Sequence, residues 1–323
     1  MDDRRGSLPG HRRVRPHRGR QGPGHLGCAG PAGAVVRHHP GSQALEGGGV
    51  TVDVAQRADT AGDRVDHHRP RPWSIVWRLT ARSWLNLVRI PAATIPMVIM
   101  PLFFTVAFAG AFSALVLIPG YPTDNILSWM GPFAALQGAA FTGLGASFAL
   151  GRDIEGGFYD RLLLSPASRL SIAGANVFFV LFRTVIPVAI VLLIGAIGGM
   201  DIPAGILAAV MLLLGAWGVA AIAALWGMGV TYRIQKQSAG GLVQVGVFIA
   251  MFLSIGMMPV DLMQGWLPHV AKYNPMTYIM ELARQGFIGE VAWESTWPGL
   301  VSIACGVTFF AIFAWRMFQR VTP

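Results

Sequence analysis

From Pro91 onward the chain alternates long apolar blocks with short polar breaks. A bilayer's hydrocarbon core takes about 20 apolar residues per helical crossing. Six blocks reach that length, at 91–118, 127–150, 171–198, 202–232, 238–258 and 297–315. The pattern therefore predicts six membrane-crossing helices. Pro96 and Pro101 fall inside the first block and Pro187 inside the third, where each removes a backbone bond and can kink the helix. Kinks serve gating or packing, and packing is the expectation because membrane helices tolerate proline in general.

Ahead of the first block, residues 73–90 have a different period. On a helical wheel Trp73, Trp77, Thr80, Trp84, Leu87 and Val88 share one face, with Arg78, Arg82 and Arg89 opposite. Tryptophan suits the headgroup boundary and arginine suits lipid phosphates, so the segment reads as a helix lying flat on the membrane surface. A helix packed on a partner would show the same two faces.

Residues 1–72 have no periodic pattern. They hold seven of the eight histidines and twelve of the twenty-five basic residues, amid many Gly and Pro. Such a composition is expected to stay a disordered tail. His38-His39 and His67-His68 lack the spacing and partners of a metal site. No signal-peptide pattern is visible, and a native start near Val50 or Val52 is one expectation for this tail.

The composition agrees with a membrane protein. Charged residues make up 13% and the mean hydropathy is +0.52, whereas soluble chains carry about 25% charge. Cys28 and Cys305 lie at opposite ends of the chain with no ligand partner nearby, so neither a disulfide framework nor a zinc site is indicated. In a soluble protein the net charge of +9 would point to nucleic acid. Here the arginines flank apolar blocks, as orientation in a membrane requires, and no nucleic-acid partner is expected. One set of loops and ends carries Arg71, Arg78, Arg82, Arg89, Arg152, Arg161, Arg169, Arg233, Lys236, Arg316 and Arg320, and the other only Lys272 and Arg284. The asymmetry predicts that both termini are cytoplasmic, in a multi-pass protein of the plasma (inner) membrane.

No Lys follows a Gly, so the phosphate-cradling loop of an ATPase is absent, as are the signatures of zinc proteases and serine hydrolases. The chain is expected to have no catalytic site, metal or cofactor of its own. No carboxylate lies near the centre of a predicted span, which weighs against a gradient-coupled carrier or channel. A lipid-modifying enzyme would need polar groups gathered at one interface, and Asp261, His269 and Glu281 are scattered along the outer segment. The single charge inside a predicted span is Arg183. If its helix starts at Ser171, Arg183 lies about 18 Å along it and could line a path for anionic or amphipathic cargo. If the span starts near Thr184, Arg183 reaches the headgroups instead.

The loop between the second and third spans runs Gly151-Arg152-Asp153-Ile154-Glu155-Gly156-Gly157-Phe158-Tyr159-Asp160-Arg161, then Leu162-Leu163-Leu164-Ser165-Pro166-Ala167-Ser168-Arg169. An acidic residue before a Gly pair, an aromatic, a Leu-rich turn and Ser-Pro followed by Arg resembles the first cytoplasmic loop of type-2 ABC exporter permeases. Tyr273-Asn274-Pro275-Met276-Thr277-Tyr278, followed by Glu281-Leu282-Ala283-Arg284, looks like the stretch before the last span in that family. The resemblance covers about 73–320 and is nearest the daunorubicin-resistance branch. It implies a permease that exports drug-like or lipid-like amphipathic cargo. It also implies a second permease copy or a related permease as dimer partner, contact with membrane lipids, and separate ABC ATPase subunits that hold ATP and Mg.

Under that resemblance Asp153, Glu155, Gly156, Gly157, Tyr159 and Arg161 couple to the ATPase. A short amphipathic turn can dock in a partner groove while charges set its register. Asn274, Pro275, Thr277 and Tyr278 would close the outer side in short re-entrant helices. Asn274 before Pro275 is also a favoured helix start, so a purely structural cap stays open. The expected fold is an all-α membrane protein with an interfacial helix at 73–90 and a permease domain at 91–320. That domain has six transmembrane helices and an outer re-entrant helical segment before the last span.

Overall fold

Every regular element among the described residues is helical. The computed structural model describes residues 72–89, 91–164, 169–289 and 291–321. The tail read at 1–72, apart from Pro72, and the Ser165–Ser168 turn lie outside them. Ten α-helices follow in order: α1 (Pro72–Arg89), α2 (Pro91–Ala111), α3 (Ile126–Glu155), α4 (Phe158–Leu163), α5 (Arg169–Ile197), α6 (Ile206–Ile234), α7 (Ala239–Phe252), α8 (Leu267–Tyr273), α9 (Pro275–Ile288) and α10 (Trp293–Val321).

Four of them, α3, α5, α6 and α10, are long and apolar enough to cross a membrane. The other two expected spans are shorter as helices. The first block breaks after Ala111 into a 3-10 turn, Ser113–Leu117, where the Ser113 hydroxyl donates to the Gly110 carbonyl. In the fifth block α7 stops at Phe252. There the Ser254 hydroxyl donates to the Met251 carbonyl at 2.6 Å and accepts from the Gly256 amide, so a side chain competes with the helical ladder. Its 14 residues span about 21 Å, short of the roughly 30 Å hydrocarbon core.

α3 and α6 form the centre. In the apolar window of α3, 78% of residues are buried, against 11% in α10, which lies on the rim. Small residues bring the two central helices together: a side-chain carbon at Gly143 would strike the Ala220 carbonyl, and one at Gly227 would lie 2.7 Å from Ser147. The Ser147 and Thr231 hydroxyls meet across this seam at 2.8 Å. Close backbone approach and cross-helix hydrogen bonding hold helices together where burial from water supplies no drive.

Pro101 and Pro187 serve packing, while the side chain of Pro96 lies outside the described residues. Gly138 of α3 leaves the room that Pro187 of α5 and Pro101 of α2 fill: a Cβ there would lie 2.6 Å from Pro187 Cβ and 3.0 Å from Pro101 Cγ. Beside Pro101, the Thr105 hydroxyl donates back to its carbonyl at 2.7 Å, which satisfies a polar group inside an apolar bundle.

α1 forms over the whole segment where its periodicity placed it. Of its expected apolar face, Trp77, Thr80 and Trp84 have described side chains, and they divide. Trp84 packs edge-on against Phe179 and Phe182 of α5 and Thr80 is buried, while Trp77 is 61% exposed.

Candidate functional site

Apart from Arg183, the residues expected to carry function lie at the two ends of the bundle. At the first end, α3 runs past its apolar stretch to Glu155. The chain then reverses at Gly157, whose φ of +65° is left-handed backbone that favours glycine. Gly156 has ordinary helical geometry, so one of the two glycines makes the turn. The six-residue α4 follows.

Three of the residues expected at a partner surface are tied back to the protein instead. Asp153 accepts from both Nη atoms of Arg82, at 3.3 and 3.4 Å, and the same guanidinium lies 3.8 Å from the centre of the Phe158 ring. Glu155 accepts from the Gln237 backbone amide at 3.0 Å, joining this loop to the one between α6 and α7. Tyr159 is 3% exposed, and its hydroxyl donates to that of Tyr232 at 3.0 Å. Tyr232 in turn packs on Phe318 of α10. These rings sit in an apolar cluster with Leu150, Ile172 and Met228, so α4 is anchored to α6 and α10 as well as to its own flanking helices. Gly156, Asp160, Arg161 and Leu164 remain on the open face together with the exposed edge of Glu155. Ser165 to Ser168 and the side chain of Arg169 lie outside the described residues.

At the opposite end, Asn274 caps α9. Its Oδ1 accepts from the Met276 amide at 3.0 Å, and its Nδ2 donates to the Ala250 carbonyl of α7 at 2.7 Å. Pro275 holds the first helical position, where its missing amide costs nothing. The Thr277 hydroxyl donates to the Ala271 carbonyl at 2.7 Å and the Tyr278 hydroxyl to that of Lys272 at 2.8 Å. Asn274, Thr277 and Tyr278 thus join α9 to α7 or to α8, and Pro275 only starts the helix. Beside them a groove of about 580 Å³ opens, lined by Gly246, Ile249, Leu253, His269, Val270 and Tyr273 among others. His269 and Asp261 are exposed and Glu281 is half-buried. Among the described residues no three His, Cys, Asp or Glu gather as a metal site.

Arg183 lies fourteen residues into an unbroken helix that starts at Arg169. It is 5% exposed, and its guanidinium occupies space left open at Gly145 of α3. The helix thus begins before Ser171, and the Arg183 side chain faces α3.

Four residues matter here that the sequence does not single out for these ends: Arg82, Tyr232, Trp129 and Arg284. In the sequence Arg82 stands out as a polar-face and topology-setting charge, and Arg284 as a topology-setting charge and the end of the stretch before the last span, with no partner indicated for either. Trp129 and Tyr232 look like ordinary span-end aromatics, and their partners are 73 to 155 positions away.

Residues 75–288 match the family model described as ABC-2 type transporter. Over 211 residues the chain is 28% identical to a protein named as transport permease ycf38 of Cyanophora paradoxa, which covers 64% of this chain and 71% of that one. Over 246 residues it is 24% identical to the daunorubicin resistance ABC transporter permease protein DrrB1 of Streptomyces coeruleorubidus, covering 74% and 84% respectively.

Proposed function

The chain belongs to the ABC-2 type transporter family, and from that membership we propose that it is the membrane permease of an ABC exporter, moving amphipathic drug-like or lipid-like cargo outward. Separate ATPase subunits carry ATP and Mg, and a second copy or a related permease completes a dimer. The daunorubicin-resistance relative supports the cargo class.

One observation carries the mechanism: α4 is a short helix with an open face, and its inward face is pinned to several spans at once. Asp160, Arg161 and Leu164 point outward, while Tyr159 and Phe158 grip α6, α10 and α1 through Tyr232, Phe318 and Arg82. When nucleotide closes the ATPase pair, a push on α4 tilts α3 and α5, which flank it, and draws on α6 and α10 through the buried tyrosines. Asp153, Glu155, Gly156 and Gly157 hold the angle at which α4 is presented.

Six crossings result when α2 and α7 are completed by the turns that follow them. The arginine asymmetry favours cytoplasmic termini in the plasma (inner) membrane. α1 then lies at the cytoplasmic interface, with Trp77 toward lipid and Trp84 toward α5. On the outer side α8 and α9 re-enter the leaflet and close the path. The bond from Asn274 to the Ala250 carbonyl of α7 supports this reading, because non-helical backbone at depth must be buried in protein. In this reading Arg183, buried against Gly145 of α3, meets cargo when α3 and α5 part.

The test of the coupling reading is a charge reversal on the open face. Asp160→Arg with Arg161→Glu should abolish co-elution of an ATPase that the unaltered chain retains in native membranes. Retention by the reversed variant would place docking elsewhere.

A further inference from the structure

Arg284 lies on α9 beyond the capping residues, and no role in export accounts for it so far. It is 2% exposed. Its Nη1 donates to the Ile255 carbonyl at 3.0 Å and its Nη2 to the Gly256 carbonyl at 2.6 Å. The guanidinium lies 3.7 Å from the centre of the Trp129 ring, which also packs on Tyr121 at 5.6 Å. Glu281 stands one turn back on the same helix, half-buried.

Burying a guanidinium without a tight carboxylate partner is costly, so the contacts that offset the cost are informative. The two carbonyls lie three and four residues past the end of α7, in backbone that has no helical ladder to supply donors and must be satisfied in another way. A planar fork reaches both at once, and the Trp129 face receives the cation where water is excluded. Gly256 lets the turn lie against α3, since a side chain there would strike the Phe133 ring. One side chain therefore binds three elements: the start of α3, the end of α7 and α9.

We propose that Arg284 is the positioning residue that staples the outer segment shut, with Trp129 as its anvil and the Ile255 and Gly256 carbonyls as its anchor. This rests on the reading that α8 and α9 close the outer side. Opening then requires the guanidinium to leave either the carbonyls or the indole, and the end of α7 separates from the start of α3 only when it does.

The full chain, with Cys28 and Cys305 replaced by Ser and reconstituted in lipid nanodiscs, tests this through a buried reporter at Met251→Cys, near the end of α7, and a buried control at Val180→Cys on α5. The rate of modification by a hydrophilic maleimide is measured at each thiol. Arg284→Met should raise the reporter rate by about tenfold or more and leave the control unchanged. Arg284→Lys keeps the charge but cannot fork between two carbonyls, so it should give an intermediate rate. A reporter that stays protected in Arg284→Met overturns the staple and leaves the closure reading intact. An equal rise at both thiols overturns it too, since Arg284 would then hold the whole bundle. A reporter modified rapidly in the parent protein overturns the closure reading and the staple with it.

Discussion

Between Tyr159 and Tyr232 a single hydroxyl pair, 3.0 Å apart and buried, links the short helix α4 to the central bundle. Tyr159→Phe keeps the ring and removes only the donor, leaving the Tyr232 hydroxyl short of a partner at a cost of about 1–3 kcal/mol. The expected result is a lower melting temperature with ATPase binding retained and less cargo moved per ATP hydrolysed, read from paired transport and hydrolysis rates. Unchanged coupling would remove Tyr159 from the transmission path. The Arg82–Asp153 pair is more than a third exposed on both sides, so it should contribute only about 0.2–1 kcal/mol. Its expected effect is on geometry: Arg82→Glu should weaken ATPase co-elution, and Arg82→Glu with Asp153→Arg should restore it. At this scale sequence reading reached half of each contact. Asp153 and Tyr159 stand inside a recognisable loop, but Arg82 and Tyr232 lie over 70 positions away, and no local pattern links them.

Helix starts proved more legible than helix ends. Asn274 before Pro275 marks the start of α9 because cap chemistry is local, a side-chain oxygen meeting an amide two residues on. The ends of α2 and α7 were not legible, because the apolar run continues past both. Side-chain bonds from Ser113 and Ser254 end the helices where hydropathy stays high. Asn274→Ala removes the cap and the bond to the Ala250 carbonyl, at a cost of about 1–2 kcal/mol. Faster hydrogen exchange is expected across residues 274–280, with α4 exchange unchanged; uniform exchange across the outer segment would show that the cap does not order it.

Across the whole molecule, composition and block length disclose an all-helical membrane protein, and two loop motifs disclose its family. What they leave hidden is which helices form the centre. The hydropathy of α3 is no higher than that of its neighbours, and its central place comes from the glycines that face α6 and from Gly138, which receives two prolines. Gly143→Leu should therefore force α3 from α6 and abolish monodisperse protein on size-exclusion chromatography, whereas the same change at Gly174, with open space around it, should be tolerated. A tolerated Gly143→Leu would mean that the seam is looser than the packing describes.

A permease driven through α4 must hold its ATPase by that helix, and co-purification from native membranes shows whether it does. The intact chain is compared with the Asp160→Arg, Arg161→Glu variant, and ATP hydrolysis is assayed in each eluate. An ATPase subunit that co-elutes with the intact chain and is lost from an equally stable variant is the expected result. Absence of any ATPase from the intact, folded chain would contradict it.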